Sequence, residues 1–421
     1  MLDIVFYPLG EHTMQMPEYQ WITSDSILTA ASSLCANSPD GFVSAKQLLK
    51  LRQSFPEDQI RFLADQAKLR KQASSRFPLA ADMLFTTKGL QQTTDAAIAK
   101  YKAELLARLA PQTQHVVDLC CGMGGDLQAM AHQFNVIGVD LDPLLCQVAK
   151  HNASIQSNHS VSTQNIAAEN FDLDTDWIHI DPDRRSDGVR HTNIQAFTPS
   201  LSTLDELIQR VGKSIHGIFI KLAPATQVPN RWIDQCHLMW IQSRNECRQQ
   251  LAVFTPKTQN SHKRSAISVQ SDGQAAWEFH ALEHDTSESA DIPLHQGPID
   301  TIFEPKPALL AANLAPTWAA KHNLTYIHSG VPYFSAQKPN PIPGGNGYRI
   351  VQQLSFDLKQ LRRWIKQHDI GRLEIKKRGI DLTPEQLRKQ LKPKGKQAIT
   401  LIIAGNPRSD KQAVAYFAES I

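Results

Sequence analysis

The chain predicts an open α/β sheet of mainly parallel strands, doubly wound by helices, with smaller units on either side; three observations predict it. From residue 115 short apolar runs alternate with helical stretches, the pattern of a parallel sheet covered on both faces. The first such run, HVVDLCCG, ends in a glycine-rich turn, and the second, NVIGVDLD, ends in acids. At 421 residues the chain exceeds what one hydrophobic core serves, because single cores stop growing near about 250 to 300 residues.

Residues 1–110 read as a mainly helical region. Ser44 with Gln47 forms a capping box before AKQLLKLRQSF, and Thr94 stands where DAAIAKYKAELLARL, apolar at helical spacing, would start. Residues 111–275 hold the alternation itself: strand HVVDL, helix LQAMAHQF, strand NVIGVDLD, helix PLLCQVAKHNA, then strand-like SVSTQNI, DWIHIDP and GIFIKLAP, with helical LSTLDELIQRVG between the last two. RQQLAVF and AISVQS close this stretch as two further strands. Residues 276–355 include a Pro-rich region, 292–345, expected to form a small α+β unit, with PIPGGNG at 341–347 as a turn. Residues 356–421 read as a helix around Leu358–His368, strand RLEIKKRG, a helix begun by Thr383, Pro384 and Gln386, strand AITLIIAG and a last strand near AVAYFA.

Hydrophobic residues at 41% and charged residues at 20% are those of a globular protein rather than a disordered chain. The start MLDIVFYPLGEH lacks the basic and apolar regions of a leader, and no apolar run approaches the roughly 18 residues that span a bilayer, so a cytoplasmic protein off the membrane is expected. Six cysteines without a CxxC pair predict neither a disulfide scaffold nor a zinc site, and no metal is expected. The net charge of +3 hides an asymmetry: residues 359–396 carry thirteen Lys/Arg against four Asp/Glu. Such a block suggests an anionic partner, of which nucleic acid is the commonest.

The chemistry concentrates in VVDLCCGMGGD, residues 116–126, and VIGVDLDP after it. A glycine turn after a first strand lets backbone approach a ligand, and an acid about 20 positions on, at the end of the second strand, suits a ribose diol; Asp140 meets that requirement. The turn reads Asp118-x-Cys120-x-Gly122-x-Gly124 rather than G-x-G-x-x-G. An acid before the turn disfavours a pyrophosphate and can hold an ammonium, which favours S-adenosylmethionine over a dinucleotide. In WIHIDPDRR, Asp181 and Pro182 fall at the carboxyl end of the fourth strand, the edge at which open parallel sheets bind ligands. There a carboxylate and a proline-directed carbonyl can orient an amino group. Arg184 and Arg185 either contact substrate or neutralise neighbouring acids, and Lys221, ending the next strand, either contacts a substrate phosphate or pairs with Asp181. Asp181, Pro182, Arg184 and Lys221 are the catalytic candidates.

These stretches resemble class I methyltransferases, whose sheet is Rossmann-like, and more narrowly a bacterial group with a THUMP-like C-terminal domain. FTTKGLQQTTDAAIAKYKAELL, DPDRR and GRLEIKKRGIDLTPEQLRKQLKPKGKQAITLII carry the narrower likeness. The resemblance implies a ferredoxin-like unit at 276–355, a THUMP-like domain at 356–421, and RNA as partner. It implies cofactor contacts by Asp118, Cys120, Gly122, Gly124 and Asp140, with Ala168 and Glu169 near the adenine. It also implies that RQQLAVF runs parallel to the core and AISVQS returns, so that Lys257, Lys263 and Arg264 rim the active edge or are simply solvated. Cys120 stands where a glycine is common, and an Asp is missing near Ala167. DPDR also looks like the DPPR of RNA 5-methyluracil methyltransferases, but no cysteine lies between Lys221 and Arg231 to attack a pyrimidine.

The expected activity is therefore methylation of RNA at a base nitrogen by direct transfer. The alternatives are an RNA-binding protein with a vestigial cofactor site, or a methyltransferase of a small molecule or protein. Two basic surfaces are expected to hold RNA. One is a helix face of Lys359, Arg362, Arg363 and Lys366, at i, i+3, i+4, i+7 with Leu358, Leu361 and Ile365 on the core side; the other joins Lys376, Lys377 and Arg378 to Arg388 and Lys389.

Overall fold

Residues 16–172, 174–186, 189–190, 192–256, 263–282, 292–328, 330–336, 340–406 and 409–421 are described in the computed structural model of the chain. They fall into two units: one takes the chain up to Cys236 with Gln250–Asn260 and Val269–Gln274, the other His237–Gln249, Ser261–Ser268 and Ala275–Ile421.

The first unit opens with helices α1 (Asp25–Ala36), α2 (Ala45–Leu51), α3 (Glu57–Ala73), α4 (Thr87–Gln92) and α5 (Ala96–Leu109). Ser44 and Gln47 cap α2 reciprocally, as their spacing predicts. Asp95, not Thr94, caps α5, accepting from Ala97 N–H; the Thr94 hydroxyl is committed elsewhere, 2.6 Å from Asp126 Oδ2. Ile27, Ala31 and Leu34 of α1 bury against Leu63 and Ala67 of α3. The segment before α4 is pinned by two buried amides. Gln66 bonds both the N–H and the C=O of Phe85, at 2.9 and 2.8 Å, and Asn152 does the same to Leu84, at 2.8 and 3.0 Å. Side-chain amides that replace a missing backbone partner fix a chain as firmly as a sheet neighbour would.

Strands β1 (His115–Leu119), β2 (Asn135–Val139), β3 (Val161–Gln164) and β4 (Trp177–Ile180) follow, with α6 (Gly125–Met130) and α7 (Pro143–Ser154) between them. A short hairpin, β5 (Arg185–Ser186) and β6 (Val189–Arg190), precedes α8 (Leu201–Ile208), β7 (Gly217–Leu222), α9 (Asn230–Ile233), β8 (His237–Ser243) and β9 (Glu246–Phe254). Within this unit β3, β2, β1, β4 and β7 pair in that order, all parallel. β1 and β4 are buried along nearly their whole length, as strands covered on both faces must be. The strand order reverses between β1 and β4, where such sheets open a crevice at their carboxyl ends.

The end of the sheet corrects one expectation. RQQLAVF runs antiparallel to β7, with Gln250 opposite Leu222 and Phe254 opposite Ile218. The chain therefore leaves β9 toward the amino edge of β7, away from the carboxyl edge. The cause is β8, a strand the sequence reading passed over, followed by a two-residue reversal at Arg244 and Asn245, both with positive φ. That is the backbone of a tight hairpin turn, but an arginine in the left-handed region is a poor signal for one. Lys257 lies outside the described residues, and Arg264 sits in the second unit with its guanidinium over the Trp240 ring at 4.8 Å. The proposed basic rim is withdrawn.

The second unit contains β10 (Arg264–Val269) and β11 (Ala275–Ala281), which with β8 make the run β11-β10-β8. It also holds a seven-stranded sheet made of β12 (Thr301–Pro305), β13 (Thr325–Tyr326), β14 (Phe334–Ser335), β15 (Gly345–Ser355), β16 (Ile370–Arg378), β17 (Gln397–Asn406) and β18 (Ser409–Ser420), with helices α10 (Pro307–Ala311), α11 (Ala315–Lys321), α12 (Leu358–Gln367) and α13 (Pro384–Leu391). The order is β13-β14-β12-β15-β18-β17-β16, so strands before and after residue 355 share one sheet. β16 and β17 are parallel and joined through α13, while β15 and β17 flank β18 antiparallel. Leu361 and Ile365 of α12 and Leu387 and Leu391 of α13 bury against Leu401, Ile403 and Phe417 of the sheet, and Thr383 and Gln386 cap α13 reciprocally behind Pro384. No helix among the described residues is long and apolar enough to cross a membrane.

Candidate active site

A cavity of about 570 Å³ opens in the first unit, lined by the turn after β1, the ends of β2 and β4, and α4. The turn climbs through positive φ at Cys120 (58°), Gly122 (55°) and Gly124 (77°). The two glycines serve different ends. A Cβ added to Gly122 would meet no atom within 4 Å, whereas one added to Gly124 would lie 3.0 to 3.1 Å from the backbone and Cβ of Ala149 in α7. Gly122 keeps open space beside the cavity, and Gly124, which is not among the lining residues, lets α6 approach α7. Gly124→Ala should therefore cost about 2 kcal/mol of stability, by clash and by backbone strain, which urea denaturation would read. Cys120 holds a left-handed conformation that an L side chain adopts at a cost. Burial, with Asp140 beside it, pushes its thiol well above the usual range, so it is no thiolate nucleophile.

Asp140 ends β2 with both oxygens committed to backbone: Gly122 N–H donates to Oδ2 at 2.8 Å and Asp142 N–H to Oδ1 at 3.0 Å. Burial raises the Asp140 carboxyl pKa and these two bonds oppose the rise. A carboxylate offers about four lone-pair directions, so two remain for a ligand. Leu141, 65% exposed although apolar, lines the cavity with Leu144, Leu145, Ile166 and Ala168, and Glu169 lies beside them. This apolar wall next to an acid suits a purine nucleoside, and Leu141 is a member the sequence reading missed.

On the β4 side, Asp181, Pro182 and Arg184 all line the cavity. Lys221 Nζ lies 2.5 Å from Asp181 Oδ2, which decides the question the sequence left open: Lys221 is the ion-pair partner of Asp181. Burial alone would lower the Lys221 pKa, but Asp181 and Asp126 outweigh it and hold the ammonium above its usual value. The chain after Asp181 is braced by mutual backbone bonds between Asp183 and Thr198, at 2.8 and 2.9 Å. The Arg185 side chain lies outside the described residues.

Behind the turn is a buried polar cluster that the sequence did not announce. Asp118 Oδ1 lies 2.6 Å from His179 Nδ1, and Lys102 Nζ lies 2.9 Å from His179 Nε2 and 2.7 Å from Asp126 Oδ1. Lys102 and His179 are wholly buried, and Asp118 is 1% exposed. Desolvation lowers the Lys102 pKa and raises that of Asp118. Asp126 behaves oppositely: Lys102 and His179 overcome its burial and hold it far below the carboxylate range. Lys88, Gln92 and Thr93 of α4 and its exit form another wall of the cavity, also unforeseen. Among the described residues seven carboxylates line the whole; Asp126 is paired with Lys102 and Asp181 with Lys221, and the other five still outnumber Lys88 and Arg184, so the cavity favours a cationic ligand.

A family model described as RNA cap guanine-N2 methyltransferase matches residues 113–173, and one described as THUMP domain-like matches residues 345–419. A crystal structure of a candidate methyltransferase from Porphyromonas gingivalis W83 shares the fold, with a TM-score of 0.73 at 19% identity over 94% of this chain and 97% of that one. Two curated proteins of Mycobacterium tuberculosis, from strains CDC 1551 / Oshkosh and ATCC 25618 / H37Rv, are 25% identical over 356 residues, covering 82% of this chain and 93% of theirs; each is described as an uncharacterized S-adenosylmethionine-dependent methyltransferase. The chain is a class I S-adenosylmethionine-dependent methyltransferase.

The THUMP-like part of this methyltransferase places the two basic surfaces differently from each other. On α12, Lys359, Arg362, Arg363 and Lys366 are exposed while Leu361, Trp364 and Ile365 are buried; Arg362 spends its Nε on the Gln390 carbonyl. The second surface is largely consumed within the fold. Lys376 lies 2.9 Å and Arg378 3.6 Å from the carboxylate of Glu304, Lys377 donates to the Ile380 carbonyl, and Arg388 donates to the Leu373 carbonyl. Burial works against the Lys376 charge, yet Glu304 and the Tyr348 hydroxyl hold its pKa above the usual lysine value. Of that group Lys389 is exposed and makes no such bond among the described residues. Glu304, some 70 positions away in sequence, is the partner that spacing alone could not supply.

Proposed function

We propose that this methyltransferase, a cytoplasmic enzyme, acts on RNA, at an exocyclic or ring nitrogen of a base, and uses the basic face of α12 to hold the RNA backbone. The observation that carries the proposal is the pairing, on one chain, of a cavity with seven carboxylates and an exposed basic helix face next to a THUMP-like core. Phosphate would be repelled by such a cavity, so a nucleotide can enter only base-first, with its backbone left outside. The match to a guanine-N2 methyltransferase model makes the amino group of guanine the first acceptor to test.

The cavity fits the cofactor on two counts. Its charge suits the ammonium and sulfonium of adenosylmethionine, and the open space beside Gly122 admits backbone contact. Asp118 would hold the ammonium, Asp140 the ribose diol, Leu141 and Ala168 the adenine, with Glu169 and Cys120 at its rim. When bound, the cofactor supplies a methyl group carried on sulfur. Asp181 would accept a hydrogen bond from the acceptor amino group, with Pro182 shaping the carbonyl beside it, Lys221 fixing the carboxylate and Arg184 at the mouth. Positioning carries most of the rate in such a transfer. No thiolate is called for, in keeping with the upward push of burial and Asp140 on the Cys120 thiol pKa.

The RNA part has a direct test. Each phosphate contact on a single strand contributes about −0.7 to the log–log slope of affinity against salt. Replacing Lys359, Arg363 and Lys366 together by Ala should reduce the magnitude of that slope by about 2. An unchanged slope would assign the helix face to solubility.

A further inference from the structure

Asp118 lines the cavity, and its neighbours are arranged in a way that the transfer itself does not require. Its Oδ1 is taken by His179 Nδ1 at 2.6 Å, so Oδ2 is the oxygen left for a ligand. For an ionised Asp118 the imidazole must present N–H at Nδ1, since two lone pairs cannot face each other at that distance. An imidazole alone has a free choice of tautomer. Here the choice is made from behind: Lys102, an ammonium with donors only, sits 2.9 Å from Nε2 and can address it only if Nε2 carries a lone pair.

Charge is balanced around this line of groups. Lys102 lies 2.7 Å from Asp126, which also accepts from the Thr94 hydroxyl, and Lys221 pairs with Asp181. Both buried lysines are thus neutralised by a carboxylate of their own, and His179 has both nitrogens committed. Within this buried cluster the negative charge of Asp118 is left without a cation of its own. A cationic ligand completes the set.

We propose that Lys102 and His179 are positioning residues for cofactor binding: Lys102 fixes the Nδ1–H tautomer of His179, and His179 thereby keeps the Asp118 carboxylate ionised and oriented for the ammonium of adenosylmethionine. This rests on the reading that Asp118 holds that ammonium. It also explains why α5, outside the sheet, carries a fully buried lysine on its apolar face, where desolvation alone would exclude one.

The groups facing Asp118 are His179 on β4, Lys102 on α5 and Asp126 on α6, with Asp140 beside the turn. Burial raises the Asp118 pKa, and the bond from His179 is a main force opposing the rise. Cofactor affinity should therefore climb as pH rises through the Asp118 pKa and fall below it. Losing the Nδ1–H donor must move that midpoint to higher pH.

The experiment uses the whole protein with ¹⁵N-labelled histidine. Long-range proton–nitrogen NMR should find His179 as the neutral Nδ1–H tautomer in the wild type, with the signal assigned by its loss in His179→Asn. The double variant Lys102→Met, Asp126→Asn removes both buried charges together, so that neither is left unpaired. In it the ring should take up the Nε2–H form with the proton moved to Asp118, whose O–H then faces the Nδ1 lone pair; adenosylmethionine Kd should rise at least tenfold at pH 7, and the pH midpoint of binding should move up. Wild-type His179 in the Nε2–H form would overturn the proposal, even if the double variant does not fold. So would a folded double variant with the wild-type tautomer and an unchanged Kd–pH profile, since a merely structural lysine would lower Tm and leave both untouched. A wild type showing the expected tautomer whose pH profile of adenosylmethionine binding survives Asp118→Asn would instead sink the ammonium assignment to Asp118, a different failure.

Discussion

Asp181→Ala is expected to leave adenosylmethionine affinity within a few-fold of wild type while kcat falls by about 100- to 1000-fold, the usual consequence of removing one preorganised polar group aimed at the reacting centre. The expectation follows from placement. Asp181 stands at the end of β4, in the crevice where the strand order reverses, and Lys221 holds one of its oxygens, which leaves the other for an acceptor amino group. A group that acts mainly in the transition state lowers kcat and kcat/KM together. The variant also strands Lys221, whose charge would then be buried with no carboxylate at 2.5 Å, so a drop in Tm should accompany the loss. Lys221→Met with Asp181 intact separates the two effects: it should recover part of the stability but not the rate, since Asp181 would lose its orientation. A fully active Asp181→Ala enzyme would remove the role.

Asp140→Ala should weaken adenosylmethionine at least 100-fold, as read by calorimetry. Two contributions add. The diol loses an ionised acceptor, with hydrogen bonds to a charged group worth about 1.5 to 3 kcal/mol each. The turn loses its tether as well, because Asp140 holds the Gly122 and Asp142 N–H groups. Asp140→Asn keeps an acceptor and should lie between Ala and wild type. Gly122→Val should be as severe by another route: its Cβ would enter the open space beside the cavity and meet no protein atom, so the variant should fold, at a cost set by its φ of 55°, yet fail to bind. Wild-type affinity in either variant would dissolve the cofactor assignment.

Much of the catalytic unit can be read from the chain because its signals are local. HVVDL is buried after its first residue and is followed by residues that take up positive φ, and Asp140 follows the next apolar run. Capping at Ser44 and Thr383 needs only residues three apart. What stayed hidden depends on partners distant in sequence. Lys102 falls at helical spacing among Ile98, Leu105 and Leu106, where a lysine reads as a fault in an apolar face until Asp126 and His179 come to meet it. Lys376 and Arg378 read as free cations until Glu304 joins them across the sheet. β8 was lost because its reversal uses Arg244 rather than glycine, and the direction of β9 went with it. The α4 wall escaped because Gln66 and Asn152 place it through side-chain amides, which leave no periodic trace.

The most direct test of RNA as substrate is to incubate the purified enzyme with RNA from cells that lack it and with methyl-labelled adenosylmethionine, then digest the RNA and examine its nucleosides by mass spectrometry. The account predicts label in one N-methylated nucleoside, guanine N2 first among the candidates, and none with Asp181→Ala. Label confined to a ring carbon, or RNA left unlabelled by an enzyme that methylates a protein or small molecule under the same conditions, would contradict it.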